Sequence, residues 1–552
     1  MGTFKKKLFD TFCVNLFLAF TILVFGPMEI FISNSMDFQF TLADFGWMIC
    51  VFALGYLAVS TFVAALLPDK LREAAVLIIF AFTLCCYVQT MFLNGKMQVL
   101  VGQEIAWGKR TILPNLLVWI AVFALVFLAK HYLKEKVTKA VRFLSLALVA
   151  VQLVALVSLL FTTDVLTEEK NSYVSNENML TLSQEKNVVV FILDFFDGRT
   201  MDSILAEDEN FLSPLDGFTY YPNATGVHSR TYPSIAYLLT GEVCHFDKKP
   251  QDYVNEAYEG SGFIPALCDN GIEVGLYTFP TYIGDSAKTK ICNYVFKKLK
   301  LDFGQVISAC GKMALYRDMP YLLKNYFEYD VSDINNKVVK DSDLEDEAAI
   351  YQNFNDEWFA GMLTDNGIEI SEQEGCFRFY HLASAHANLS NPYPYAVRSF
   401  EIVYEYLDMM REKGVYEDSM VIITTDHGSS GGGETLDMPH KTAVPIFFVK
   451  PAGASGADMQ ISEAPVSQTD FIPTILDGFS LDYTGYGRTA YEIQEGEDRE
   501  RFYYYTALYT DEEGEVELRE YQIKGDARKE ENYQFTGNKW DVLYSFNIVA
   551  RK

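Results

Sequence analysis

The first 165 residues alternate long apolar runs with short polar breaks. The runs cover 12–31, 46–67, 74–93, 116–130 and 143–161 and consist mainly of Leu, Val, Ile and Phe. Most of them reach the ~20 residues with which a helix crosses ~30 Å of hydrocarbon, so the pattern predicts five membrane-spanning helices, the fourth with the shortest apolar run. A polar stretch without periodicity follows at 166–186 and reads as a linker. From 187 the pattern changes to short β-branched runs: 187–193, 271–278, 377–382, 420–425 and 444–449. A continuous apolar run of this length is the signature of a strand buried on both faces, as in a parallel sheet. Helical periodicity between the runs, for instance over 399–413, predicts strands alternating with helices and hence an α/β sandwich around a mostly parallel sheet. The acid-rich stretch 300–375 breaks this rhythm and reads as an insertion or lid with several helices. Beyond about residue 501, aromatic half-alternating runs at 502–506, 516–523 and 531–535 predict a small antiparallel sheet closing the chain. The expected organisation is a transmembrane domain at 1–165, a linker at 166–186, an α/β domain at 187–490 and a β-rich subdomain at 491–552.

Charge sharpens this division. The 552 residues carry a formal net charge of −28, yet mean hydropathy is +0.05 and half of the residues are apolar. Residues 1–165 hold +4 and the remainder −32. A chain this apolar is not disordered, and one this acidic is a poor partner for nucleic acid. Basic residues cluster at the N-terminus (Lys5, Lys6, Lys7) and in the loops after the second run (Lys70, Arg72) and after the fourth (Lys130, Lys134, Lys136, Lys139, Arg142). The opposite side has only Lys96, Lys109 and Arg110. Positive loops stay inside, which predicts a cytoplasmic N-terminus and, after five crossings, an outer α/β domain. The first run lacks a small-residue cleavage site and reads as an anchor rather than a signal peptide. Of nine cysteines, Cys244, Cys268, Cys292, Cys310 and Cys376 fall in the outer part. Their odd number allows two disulfides at most, and without any CxxC a zinc ribbon is disfavoured.

Open α/β sheets place their sites at the carboxyl ends of the strands. Three runs end there in metal-type side chains: Asp194 and Asp197 after the first, His381 and His386 after the third, Asp426 and His427 after the fourth. Only seven histidines are present, and His228, His381, His386, His427 and His440 all fall in or beside such segments. An Asp after a strand is commonly a helix cap, which is the plainer role for Asp194 taken alone. A helix predicted to begin near Thr231, with Pro233 in its first turn, would set the Thr231 hydroxyl among free backbone N–H groups where an anion is favoured. The plainer role for Thr231 is an N-cap.

Taken together, NVVVFILD (187–194), RTYPSIAYLLTG (230–241), VIITTDHG (421–428), PHKTAVPIFF (439–448) and SQTDFIPTIL (467–476) resemble the alkaline phosphatase and sulfatase superfamily, in its order. Five spans ahead of such a domain resemble lipoteichoic acid synthases and related phosphoglycerol or phosphoethanolamine transferases. The resemblance implies Asp194, Thr231, Asp426 and His427 as metal ligands, Thr231 as nucleophile, and His386 and His440 as histidines that meet substrate or metal. The Asp-x-x-x-His pair of two-zinc relatives has no counterpart here, which favours one ion.

A set of two carboxylates, one imidazole and a threonine oxygen suits Zn²⁺ or Mn²⁺. Such an ion would lower the hydroxyl pKa so that Thr231 attacks phosphorus, with Arg230 and Lys441 as further charge for the transferred group. Formylglycine sulfatases need Cys or Ser at the nucleophile position and Arg four residues on, where this chain has Thr231 and Ile235. The expected activity is therefore phosphotransfer outside a bacterial cell, from a membrane lipid or lipid-linked donor to a cell-envelope glycan acceptor. The alternatives are an extracytoplasmic phosphodiester or sulfate-ester hydrolase and a non-catalytic glycan-binding ectodomain.

Overall fold

The computed structural model describes residues 2–35, 38–94, 108–134, 136–163, 165–167, 170–329, 331–339, 349–388, 391–428, 439–507 and 517–543. Lys96, counted above among the loop charges, and residue 516, the predicted start of a strand, lie outside these. The chain forms two compact units, Met1–Ser172 with Lys297–Glu347, and Tyr173–Phe296 with Ala348–Lys552.

Among the described residues the first unit contains five helices long and apolar enough to cross a membrane: Phe4–Ser33, Leu42–Leu66, Asp69–Leu93, Lys109–Leu133 and Lys136–Thr162. They extend beyond the apolar runs because the flanking Lys and Arg are themselves good helix formers. The fourth, with the shortest apolar run, is a full 25 residues. Large apolar side chains such as Leu54, Val59, Leu117, Ile120 and Val154 point outward from these helices, the inverse of a water-facing helix. The stretch 300–375 is divided: the helix Phe303–Asp318 belongs to this first unit, whereas Asp356–Asn366 belongs to the second.

The second unit is built on a seven-stranded sheet with strands β1 Asn187–Leu193, β2 Thr219–Tyr220, β3 Ile272–Tyr277, β4 Gly375–Leu382, β5 Ser419–Thr424, β6 Phe447–Lys450 and β7 Gln460–Ile461. The spatial order is β7-β2-β6-β5-β1-β4-β3. β1 lies parallel between β4 and β5 and every one of its residues is buried, which explains its unbroken apolar run. β6 is antiparallel to both neighbours. The helices that place site residues are α1 Gly198–Glu207, α2 Thr231–Thr240, α3 Asp356–Asn366 and α4 Tyr393–Glu412. A second, antiparallel sheet comprises β8 Glu500–Ala507, β9 Glu517–Lys524 and β10 Tyr533–Asp541.

The stretch 166–186 is more than a linker. Tyr173–Val174 pairs antiparallel with Tyr294–Val295, and Thr181–Ser183 pairs parallel with Glu369–Ser371. Tyr173, Val174, Met179, Leu180 and Leu182 are buried, and too sparse to reveal a period. All nine cysteines are free thiols.

Gly217 sits at φ +78°, and a Cβ there would come within 2.2 Å of the Ala454 carbonyl oxygen. Gly217→Ala is expected to cost the protein at least about 1 kcal/mol, measured as a drop in unfolding midpoint of the detergent-solubilised chain; an unchanged midpoint would refute the close approach.

Candidate active site

The carboxyl ends of β1, β4 and β5 converge on one cluster with the start of α2. β1 delivers Asp194 and β5 delivers Asp426 and His427, and one ligand atom of each lies within 4.8 Å of the others. The Thr231 Oγ1 is 3.2 Å from His427 Nε2. Arg230 occupies the N-cap of α2 and Thr231 its first helical position, so the hydroxyl is not used as a cap and is left to the cluster. His427 Nδ1 lies 2.9 Å from the Gly428 carbonyl oxygen. A carbonyl only accepts, which puts the ring proton on Nδ1 and turns the Nε2 lone pair toward Thr231 and the carboxylates.

The carboxylates are fully buried, and both oxygens of Asp194, together with Asp426 Oδ2, have no hydrogen-bond partner. Burial pushes Asp194 up to about 8, and the neighbouring Asp426 adds to the effect. Asp426 is held low: burial raises it, but His427 and His381 outweigh that. Two such groups side by side with orphaned oxygens are a site that lacks positive charge. The donor set of two carboxylates, a correctly tautomerised imidazole and a hydroxyl fits a divalent cation of the Zn²⁺ or Mn²⁺ type.

The remaining predicted residues divide. His386 belongs to the cluster: it bears electrostatically on Asp194, and its ring stands edge-on to Phe195 at 5.9 Å. Its Nδ1 is buried without a partner. Asp197 does not join the cluster. Its Oδ1 accepts from the Thr200 N–H at 2.9 Å, capping α1, and its Oδ2 accepts from Arg199. The cap expected of the first acidic residue is thus formed by the second. His228 is buried among structural neighbours, accepts from the Cys244 N–H and is pushed down to about 3 by burial. His440 packs against Tyr533 of β10, with burial lowering its pKa; among the described residues no hydrogen bond or ring contact links it to Asp194, Thr231, Asp426 or His427. Arg230 is largely buried beside Tyr503 and Tyr505, and the Lys441 carbonyl accepts from Arg199.

Beside His381, which the residue pattern had marked at a strand end, Phe195 and Gln468 gain a role that the pattern did not assign. His381, on β4 opposite Ile192 of β1, has its Nδ1 3.0 Å from Thr278 Oγ1 and its Nε2 3.4 Å from Asp194 Oδ2, without hydrogen-bond alignment. Burial lowers it to about 4. A histidine interrupting an apolar strand was the available signal. Phe195 adopts φ +64°, rare for an aromatic residue; there its N–H reaches Asp426 Oδ1 at 3.3 Å and its ring stands perpendicular to His427. Gln468 donates to the Thr425 and Asp426 carbonyls and accepts from the Val227 N–H, tying the metal-type loop to the loop that leads into Thr231.

The family model described as sulfatase matches residues 186–481. The chain belongs to the sulfatase family. Membership marks this sulfatase-family chain as an enzyme of the hydrolase or transferase type. Human N-sulphoglucosamine sulphohydrolase is 37% identical over 105 residues, 19% of this chain and 20% of that protein, so the match spans about a fifth of the relative's length. Structures of the alkaline phosphatase superfamily are also similar. The phosphonate monoester hydrolase from Silicibacter pomeroyi has a TM-score of 0.36 and 12% identity, over 65% of this chain and 89% of that one. The C-terminal periplasmic domain of EptC from Escherichia coli, in complex with Zn, has a TM-score of 0.34 and 11% identity, over 66% and 96%.

Because folded, metal-free protein keeps a proton on Asp194 up to about 8 and the unfolded chain sheds it near 3.8, stability falls as pH rises across that interval. Chelated protein is expected to unfold more readily at about pH 8 than at about pH 5. Zn²⁺ or Mn²⁺ should remove that difference, and so should Asp194→Asn without metal; a chelated midpoint that rises with pH would contradict an uncompensated Asp194. Asp197→Ala, by contrast, should lower stability by about 1 kcal/mol and leave metal content, read by elemental analysis, unchanged.

Proposed function

We propose that this protein is a membrane-anchored, divalent-metal-dependent phosphotransferase working on the outer side of a bacterial membrane. It would take a phosphoglycerol- or phosphoethanolamine-type group from a membrane lipid or lipid-linked donor and pass it to a cell-envelope glycan. The observation that carries the proposal is the Thr231 hydroxyl, uncommitted to capping and 3.2 Å from His427 Nε2, beside buried carboxylates with orphaned oxygens. The outward placement follows from the basic loops, and the anchoring from the five apolar helices.

Asp194, Asp426, His427 and Thr231 would hold the cation, which supplies charge that acidifies a hydroxyl and balances anionic oxygens. The Thr231 hydroxyl gives up its proton to solvent, its oxygen bonds to phosphorus as the bond from phosphorus to the donor's ester oxygen breaks, and that ester oxygen leaves with a proton from a nearby imidazolium. His386, half-buried beside the cluster with its Nδ1 shielded and without a partner, is the side chain placed for that step. An acceptor hydroxyl, returning its proton to the same imidazole, then releases the group from phosphothreonine and restores Thr231. The N-terminal end of α2 favours the anion throughout. Phosphorus is preferred to sulfur because threonine, with a methyl group on Cβ, cannot be oxidised to the aldehyde of a formylglycine sulfatase.

Incubation of the solubilised chain with phosphatidylglycerol or phosphatidylethanolamine should give a metal-dependent mass gain mapping to Thr231, and its size names the group. Thr231→Ala should lose the adduct and about 10³-fold or more of the turnover, whereas Thr231→Ser should keep part of both. Full activity in Thr231→Ala would sink the proposal. Release of the group to water in preference to a glycan hydroxyl would make the protein a phosphodiester hydrolase instead.

A further inference from the structure

The sequence of the second unit is interrupted. The chain leaves it after Phe296, spends Lys297–Glu347 in the first unit, and returns at Ala348. Within the first unit the helix Phe303–Asp318 and the turn Tyr321–Lys324 lie against the apolar helices. Val306, Cys310 and Met313 are buried in one cluster with Phe31, Phe45 and Met48. Gly26, inside the helix Phe4–Ser33, lets Ala314 come close: a Cβ built on Gly26 would stand 3.6 Å from that of Ala314. Small residues at such a crossing are what allows close packing between helices in lipid.

The polar contacts are more telling. Arg317 pairs with Glu29 of the first apolar helix, and Asp318 accepts from Thr90 of the third at 2.7 Å. The Tyr321 N–H donates to Asn115 Oδ1 of the fourth at 3.1 Å, and Lys298 pairs with Asp44 of the second at 2.7 Å. Polar side chains on membrane helices are costly unless a partner is supplied, and here residues 298–321 supply it to four of the five. Two of the helices touched by Phe303–Asp318 also change to π-helical turns where it lies, at Ala19–Phe25 and Gln89–Leu93. Leu322 and Leu323 remain exposed, continuing the apolar exterior of the bundle.

We propose that this insert is a second membrane anchor, holding the catalytic unit to the membrane independently of the segment that follows the fifth helix. The inference rests on the membrane reading of the five helices and not on the chemistry at Thr231. A cut between the fifth helix and Tyr173 would then fail to release the catalytic unit, which a single-tethered enzyme could not survive attached.

The test places a protease site within 166–172 of the full-length chain, tagged at the N-terminus. After detergent extraction and cleavage, the fragment from 173 onward should co-elute with the tagged fragment. Arg317→Glu, set against Glu29, should weaken co-elution, and the swap Glu29→Arg with Arg317→Glu should restore it. Oxidised Gly26→Cys/Ala314→Cys should join the two fragments on a non-reducing gel beyond the level of either single variant, since that Cβ spacing suits a disulfide. A fragment from 173 that appears in the flow-through of the unsubstituted protein, with no cross-link in the double variant, overturns the anchor. Uncut protein that leaves the membrane without detergent overturns it at the level of the membrane reading.

Discussion

Two carboxylates at the end of a parallel sheet, withdrawn from water and short of partners, constrain everything around them. Asp194 and Asp426 sit where β1 and β5 end side by side, and three of their four oxygens have no hydrogen bond. An apolar sheet end cannot hold two such charges unaided. Either a proton stays, as the rise of Asp194 to about 8 shows, or a cation takes its place. The neighbouring groups are arranged for the second case. The tautomer of His427 and the hydroxyl of Thr231 present electron pairs to the same small volume, and His381 Nε2 lies 3.4 Å from Asp194 Oδ2 at its edge. A purely structural core would not leave the Asp194 oxygens, Asp426 Oδ2 and His381 Nε2 buried and unsatisfied together.

The surrounding backbone is strained in a way that serves the same cluster. Non-glycine residues with positive φ are uncommon, yet Phe195, Phe354 and Ser384 are three of them and all border the site. Phe195 and Phe354 lie against the His386 ring, and Phe354 also against His381. Ser384 is held by Asp356, whose carboxylate accepts the Ala383 and Ser384 N–H groups at 2.7 and 2.8 Å. Such conformations persist only when many contacts enforce them. Here the enforcement fixes the turn that carries His386, so the imidazole is positioned before any substrate arrives.

Much of this was legible in the residue pattern. The unbroken run of β1 announced a central strand, and scarce histidines at strand ends marked Asp426, His427 and His386. The family resemblance added the Thr231 assignment. What stayed hidden had physical reasons. Asp194 and Asp197 are three residues apart, and only the backbone turn at Phe195 decides that one enters the cluster while the other caps α1. Gln468 acts through backbone carbonyls more than 40 residues away, a contact without periodic signal. The strands at 173–174 and 181–183 are too short to show alternation. The division of 300–375 between two units depends on Glu29, Thr90 and Asn115, polar residues that within their own apolar runs look like isolated exceptions.

The place of the insert in the chain joins these threads. Its returning leg re-enters the catalytic unit at Ala348 and within a few residues supplies Phe354 and then Asp356, the side chains that flank and fix the turn of His386. The outgoing leg departs after Tyr294–Val295, which pairs with Tyr173–Val174 where the chain first enters the unit. Entry and departure are therefore clamped together in one short ribbon, while the return is tied directly to the site. Here the residues that hold one imidazole in place, Phe354 and Asp356, follow within a few positions of the point where the chain re-enters the second unit.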